Sequence, residues 1–146
     1  THRRAVLFDK RERYWLIEDT FAGSGAHAFT FRFHAAPGRD TRVRDGSTVE
    51  ISDGAEGARL LIISLDSIEG ATLERRWSSR EYGARAPSLS ARWTHTAHAP
   101  LTVRWLLVPV RAGEEVEGRL ELIARVRDSL KGAIASVVPA GLPDGF

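Results

Sequence analysis

The stretch "SSREYGAR" (Ser78–Arg85) holds the side chains whose types and spacing are best suited to chemistry. It brings Arg80, Tyr82 and Arg85 together in a polar, turn-rich segment, which predicts a surface loop. A guanidinium group lowers the pKa of a neighbouring phenol and also binds carboxylates, so this group suits proton transfer or contact with an acidic sugar. The alternative is that Tyr82 is structural and packs the loop against the domain.

The pair Arg32 and His34 is a second candidate for binding an anion. The segment "HAFTFRFH" (27–34) alternates with period two, which places Arg32 and His34 on its more polar side and His27 with the phenylalanines on the other. The two polar side chains could meet an anionic ligand, and a solvated strand face is the alternative. Arg80, Tyr82, Arg85, Arg32 and His34 are therefore the candidate substrate-binding residues.

The histidines do not form a metal-binding pattern. His27 and His34 are seven residues apart on one predicted strand, so the alternation sends them to opposite faces, and His95 and His98 have the same parity problem. Thiolate sites are excluded because the chain has no cysteine. We expect no metal site and no cofactor, and we expect His27 to be partly buried and satisfied by the neighbouring turn.

No catalytic set is predicted within this chain. There is no G-x-S-x-G elbow, and the carboxylates form no recognisable acid/base pair. The segment "AGSGAH" (22–27) resembles a phosphate-binding loop, but it is too short, lacks the lysine and leads into a strand. We expect a glycine-rich turn there.

Composition predicts one globular domain and is compatible with an acidic partner, with solvated surface arginines as the alternative. The 146 residues suffice for a core, the net charge is +2, and nearly all basic residues are arginine, whose fork matches carboxylates and sulfates. No apolar run reaches the length of a membrane span, so none is expected. The aromatic residues form no stacking platform, which argues against nucleic-acid binding despite a pI of about 9.5.

Period-two alternation dominates the chain and predicts an all-β, antiparallel β-sandwich over residues 1–112. Residues 113–146 form an extension, in which apolar residues at helical spacing within 114–138 predict a short amphipathic helix before a loose tail; an extended segment is the alternative. The predicted strands are Ala5–Lys10, Tyr14–Phe21, His27–His34, Thr41–Arg44, Thr48–Ile51, Arg59–Leu65, Ala71–Trp77, Leu89–His95 and Leu101–Val108. Because Arg59–Leu65 is apolar on both faces, it is expected to be a central strand.

Two hairpin turns are predicted between these strands. The glycines of Ala22–Gly25 can take positive φ and are expected to reverse the chain after Phe21. The sequence "AHAP" (97–100) is expected to reverse it again before Leu101.

The order of several short motifs over about His2 to Pro109 resembles the C-terminal β-domain of heparinase II/III-type polysaccharide lyases, including oligoalginate lyases. The resemblance is carried by "RAVLF" (4–8), "YWLIED" (14–19), "GSGAH" (23–27), "FHAAPG" (33–38), "SREYG" (79–83) and a final apolar strand ending in "LLVP" (106–109). No single motif is highly specific, and the identification depends on their order and spacing.

This resemblance implies a larger parent protein. Members pair an N-terminal α/α toroid with this β-domain and cleave uronic-acid polysaccharides by β-elimination, with most catalytic groups in the toroid. The upstream "G-H-x-H-x-D" stretch is not in this sequence. The resemblance therefore implies an accessory, non-catalytic segment that is inactive alone, a periplasmic or secreted location and an acidic polysaccharide as partner. The alternative is a stand-alone carbohydrate-binding or protein-interaction module of sandwich type.

The same resemblance implies that further strands of the parent β-domain lie upstream of the matched stretch. Sheet edges that lose such strands tend to pair with another chain. We therefore expect a homodimer through exposed sheet edges, or an edge covered by the C-terminal segment.

Overall fold

The computed structural model describes residues 1–66, Ile68, residues 70–79 and residues 81–135, and for 131–135 it describes the backbone alone. The chain divides into two compact units, Thr1–Glu115 and a second that begins at Val116. The first unit contains β1 (His2–Asp9), β2 (Tyr14–His34), β3 (Asp40–Asp45), β4 (Thr48–Ser52), β5 (Arg59–Ser64), β6 (Thr72–Ser78) and β7 (Ala86–Val110). The second contains α1 (Val116–Ala135).

Two long strands organise the sheet. β2 has 21 residues and β7 has 25, whereas an average strand has about five or six. They pair antiparallel along almost their whole length. On its other side, β7 pairs with β6 through Ala86–Arg92 and with β5 through Trp105–Val110.

The remaining strands extend this frame into one antiparallel sheet with the path β1-β2-β7-β5-β4-β3, and β6 joins it through β7. Some residues of β3 and β6 also lie close together without strand pairing, so the sheet folds over on itself. The prediction of an all-β, antiparallel fold followed by a helix is confirmed. The predicted tail from Pro139 lies outside the described residues.

Both predicted hairpin turns are wrong. The segment Ala22–Ser24 is a bulge in the continuous strand β2, because four residue steps from Phe21 to Gly25 face only two steps on β7. Gly25 takes the left-handed φ of 81° that the bulge requires. Likewise the chain runs straight through 97–100 inside β7, with a cis Ala99–Pro100 peptide bond opposite the bulge. A proline is tolerated there because the strand ladder is already interrupted.

The bulge inserts an even number of residues, so the alternation of β2 continues on the same faces beyond it. Phe21 therefore lies on the same face as Phe29, Phe31 and Phe33. The rings of Phe21, Phe29 and Phe31 contact one another, and Trp105 links Phe31 to Phe33. The predicted separation of His27 from His34 is also confirmed, since the register is regular from Gly25 to His34.

The core is aromatic and lies on this face. Trp93 and Trp105 of β7 are fully buried, with ring centroids 5.0 Å apart and planes at 62°. Phe33 meets Trp93 and Trp105 edge-on at 5.9 and 5.1 Å. Such pairs add roughly 0.5–1.5 kcal/mol each beyond the burial of their area, so the two Phe33 contacts stabilise the pairing of β2 with β7.

β5 is the central strand that the sequence predicts. It lies between β4 and β7, and Leu61, Ile62 and Ile63 are all almost completely buried, although they alternate between the two faces. The edges of the sheet are different. On β1, which in the described chain pairs only with β2, Val6, Leu7 and Phe8 are 59, 54 and 46% exposed.

Candidate functional site

The polar face of the two long strands positions the candidate site. Arg32 on β2 lies directly opposite Arg92 on β7, and Arg92 lies opposite Thr72 on β6. Directly opposed residues share a face of the sheet, so both arginines lie on the side opposite to the phenylalanines. Because β6 joins this end of β7, its side chains complete the site.

Glu74 of β6 collects three arginines on this face. Its carboxylate accepts a hydrogen bond from Arg76 at 2.5 Å and one from Arg92 at 2.9 Å, and the Arg32 Nε lies 3.4 Å away. We call these four residues the Glu74 cluster. It joins three strands, and its three arginines and one carboxylate give it a net charge of +2.

Electrostatics keeps Glu74 ionised. Burial acts to raise its pKa, but the hydrogen bonds and charges of the arginines outweigh that effect and hold the pKa below its ordinary value. Glu74 therefore stays charged at neutral pH, and the three arginines leave the cluster with a net charge of +2. The arginine side chains are 36–44% exposed, so an anion from solution can reach them.

His34 does not join this cluster. It is exposed on the same strand face as Arg32, but it lines an open cavity of about 390 Å³ together with Arg39 and Arg59. A neighbouring cavity of about 500 Å³ is also lined by Arg39 and Arg59.

The charges around these cavities are largely balanced. Arg42 contacts the buried carboxylate of Glu50 at 2.9 Å, and Arg39 pairs with Asp53. The Glu74 cluster is therefore the more strongly positive of the two surfaces.

The predicted loop is exposed. Arg80 lies outside the described residues, and Tyr82 is fully exposed, so Tyr82 does not pack the loop against the domain as the structural alternative requires. Arg85 lies over the ring of Trp77, with its guanidinium carbon 4.7 Å from the ring centroid. An open cavity of about 370 Å³ adjoins this loop and includes Arg85 and Ser78 in its lining.

His27 contributes to the local structure of the bulge. His27 is exposed, contrary to the expected partial burial, and its Nε2 lies 2.9 Å from the Ser24 carbonyl oxygen in the bulge.

In the part of the chain that the structure describes, no three His, Asp or Glu side chains converge as metal ligands. No helix of that part combines the length and apolar character needed to cross a membrane.

A carboxylate–histidine pair on the aromatic face escaped sequence analysis. Asp19 is completely buried, accepts two hydrogen bonds from Arg4 at 2.7 and 2.8 Å, and accepts another from His2 Nε2 at 2.8 Å. The His2 ring stacks on Phe21 at 4.5 Å. Burial acts to raise the pKa of Asp19, but the hydrogen bonds from Arg4 and His2 prevail and lower it. An aspartate at an inward position of an apolar strand was the available signal.

Glu74, Arg76 and Arg92 were also missed, and Trp77 was recognised only as lying close to the loop in the sequence. Each is an ordinary surface residue in the sequence, and only the pairing of β6 with β7 and of β7 with β2 brings them to Arg32 and Arg85. Of the predicted binding residues, the structure thus brings Arg32 into a cluster and Arg85 onto Trp77, while Tyr82 and His34 remain separate and exposed.

The model of the family "Heparinase II/III-like, C-terminal" matches residues 1–130. A comparison with curated proteins found no match.

Among solved structures, heparan sulfate lyase HepC from Pedobacter heparinus is similar, with a TM-score of 0.64 and 18% identity over 78% of this chain. A mutant of that lyase gives a TM-score of 0.63 at the same identity. The chain spans 18% of the length of either solved chain. Because the family model matches residues 1–130, which is most of its length, the chain belongs to the heparinase II/III-like C-terminal family.

Proposed function

We propose that this chain is the accessory β-domain portion of a polysaccharide lyase that cleaves uronic-acid-containing polysaccharides by β-elimination. In that reaction a base removes the proton next to the uronate carboxylate, a carbon–carbon double bond forms, and the bond to the leaving sugar oxygen breaks. The role proposed for this chain is to hold the acidic polysaccharide and not to transfer the proton.

The Glu74 cluster is the observation that carries this proposal. Three guanidinium groups on one carboxylate leave an excess of two positive charges on an exposed strand face. Guanidinium groups bind carboxylates and sulfates through paired hydrogen bonds, and an acidic polysaccharide presents these groups along its length. Arg32 is the member of this cluster that the sequence indicates.

The tyrosines support an accessory role. The chain has two, Tyr14 and Tyr82. Burial, followed by the charges of Asp9 and Glu12, raises the pKa of Tyr14, which disfavours its phenolate as a base. Tyr82 is fully exposed on its loop, so no wall of the described protein excludes water from it.

A direct test compares this chain with the full-length parent. We expect the parent to release unsaturated uronate from alginate, heparan sulfate or hyaluronan, detected by ultraviolet absorbance, and this chain to release none. The chain itself should bind at least one of these polymers in a salt-dependent manner, and Arg92→Gln should weaken that binding. Lyase activity of the isolated chain, or binding that does not respond to salt, contradicts the proposal.

The remaining candidate binding residues extend the same proposal. Arg85 and Tyr82 are available on their loop, and His34 is available beside the cavity that Arg39 and Arg59 line. Arg80 belongs to the same loop in the sequence. Together with the Glu74 cluster they offer contacts to successive units of one polymer.

A stand-alone carbohydrate-binding module is the second candidate. The exposed Trp77 beside Arg85 favours it, because exposed aromatic side chains commonly mark binding surfaces. The reading frame separates the two proposals: an upstream toroid of helices supports the lyase, and an unrelated upstream domain or a stop supports the module.

We also propose that the edge strand β1 pairs with a second copy of this chain. Its exposed Val6, Leu7 and Phe8 and its unpaired backbone edge in the described structure support such pairing. The test is the state of association in solution, described in the Discussion.

A further inference from the structure

Trp77 is the large apolar side chain whose exposure most needs explanation. It lies near the end of β6, opposite Pro87 of β7, and 63% of its surface is accessible. The chain's other tryptophans are buried or half-buried. An exposed indole at a strand edge contributes little to folding, so a binding role is the physical alternative.

Arg85 fixes the ring of Trp77 without covering it. The guanidinium group lies over one ring face at 4.7 Å, a distance typical of a cation–π contact. Because the indole is still 63% accessible, the rest of the ring faces solvent. In the described structure no carboxylate pairs with Arg85, so its hydrogen-bond donors can meet an anion.

The surroundings suit a sugar ring of one particular kind. The C–H groups on one side of a pyranose carry partial positive charge and match the negative face of an indole. The adjoining cavity of about 370 Å³ has Glu81 and Arg85 in its lining, and Arg85 links it to Trp77. Glu81 can bind sugar hydroxyls, whereas Arg85 requires a negative group on the same unit or its neighbour.

We propose that Trp77 and Arg85 form a stacking subsite for one pyranose unit that carries a carboxylate or a sulfate. The acidic character of the ligand rests on the function proposed above, and the stacking subsite is the new element. It lies at the edge strand next to the Glu74 cluster, because Arg76 and Trp77 are consecutive residues of β6 and point to opposite faces. One polymer wrapped around this edge can therefore contact both.

The test is calorimetric titration of this chain with alginate, heparan sulfate and neutral cellulose oligosaccharides. Trp77→Ala should weaken binding of the acidic oligosaccharides by about tenfold or more, the loss typical of a central aromatic contact. Trp77→Phe should restore most of the affinity, since it keeps an aromatic face. Val43→Ala, which removes an exposed apolar side chain from β3, is the matched control and should bind normally.

The different ligands separate the two sources of negative charge. Alginate supplies carboxylate alone and heparan sulfate also supplies sulfate, so the affinity ratio in the wild type identifies the preferred group. Arg85→Ala should reduce acidic binding toward the level of the neutral oligosaccharide. Near-ultraviolet circular dichroism from the buried Trp93 and Trp105 verifies that each variant is folded.

Two results would overturn the inference in different ways. If the wild type binds acidic oligosaccharides and Trp77→Ala binds them equally well, the stacking subsite is wrong while the proposed function stands. If the wild type binds none of the acidic oligosaccharides, the proposed function and the subsite both fail.

Discussion

Arg32 on β2 and Arg92 on β7 occupy directly opposed positions, and both guanidinium groups reach the same carboxylate, that of Glu74 on β6. Like charges directly opposite each other destabilise a sheet. Glu74 offsets this repulsion and at the same time limits how strongly the arginines attract an external anion. The Glu74 carboxylate therefore stabilises the sheet and at the same time lowers the affinity of the cluster for an acidic ligand.

Replacing this carboxylate should separate its two effects. We expect Glu74→Gln to bind acidic polysaccharide roughly two- to fivefold more tightly at low salt, the range of one exposed charge interaction, and to melt at a lower temperature. Titration against heparan sulfate and thermal unfolding measure the two changes. Glu56→Gln, in the exposed loop between β4 and β5, makes the same change of net charge elsewhere. Equal gains in affinity from both variants would show that overall charge, and not the cluster, is responsible.

The buried Asp19 should make folding depend on acid. Asp19→Asn leaves Arg4 and His2 without their charged partner and should lower the free energy of unfolding by about 2–4 kcal/mol near neutral pH. Because the folded pKa of Asp19 is lowered, its contribution is present above about pH 4 and is lost as the pH falls through that folded pKa.

Urea denaturation at several pH values measures this dependence. The wild type should lose stability on acidification more steeply than Asp19→Asn, so the difference between them narrows. Asp53→Asn, at an exposed ion pair, is the control and should change stability by less than about 1 kcal/mol. A constant difference between Asp19→Asn and the wild type down to pH about 2 would contradict this assignment.

The bulge in β2 should tolerate deletions in steps of two. Removing Gly23 and Ser24 together leaves two residue steps on each strand between the flanking pairs, so the ladder becomes regular and Phe29, Phe31 and Phe33 stay on the core face. Removing Ser24 alone would turn these three rings to the opposite face. We expect a folded protein from the double deletion and an unfolded or aggregated one from the single deletion. Near-ultraviolet circular dichroism distinguishes them, and two equally folded variants would disprove the argument.

The edge strand β1 should control association. A charge in the middle of an exposed apolar edge opposes pairing, so Val6→Lys should abolish the proposed homodimer. Val43→Lys places the same charge on β3, the strand at the other end of the sheet path, and should leave the dimer intact. Sedimentation velocity at increasing concentration measures both. A monomeric wild type, or a dimer that only Val43→Lys disrupts, would refute the use of β1.

Alternation in the sequence was sufficient to predict the all-β class, the central position of β5 and the phenylalanine face of β2. It could not predict that β2 and β7 are continuous. Glycine-rich and proline-containing segments favour hairpin turns and bulges equally well at the local level. The decision comes from the long-range pairing of Phe21 with Leu101 and of Gly25 with Ala99, which a local pattern does not contain.

The candidate site illustrates the same limit. Arg32 is recognisable as a polar residue on an alternating strand, but its partners come from β6 and β7, more than forty residues away in the chain. Trp77 and Arg85 are close in sequence, yet their contact depends on how β6 ends and β7 begins. Residue type therefore predicts individual binding groups, whereas their assembly requires the sheet.

The length of β7 also determines where the polypeptide can be cut or rejoined. One uninterrupted strand supplies the inner partner of β6 at its start and of β5 at its end, while β2 spans both parts. A break within β7 would weaken its pairing with β2, β5 and β6 at the same time. The exposed connection of residues 53–58 pairs with no strand, so new termini, labels or inserted domains are best placed there.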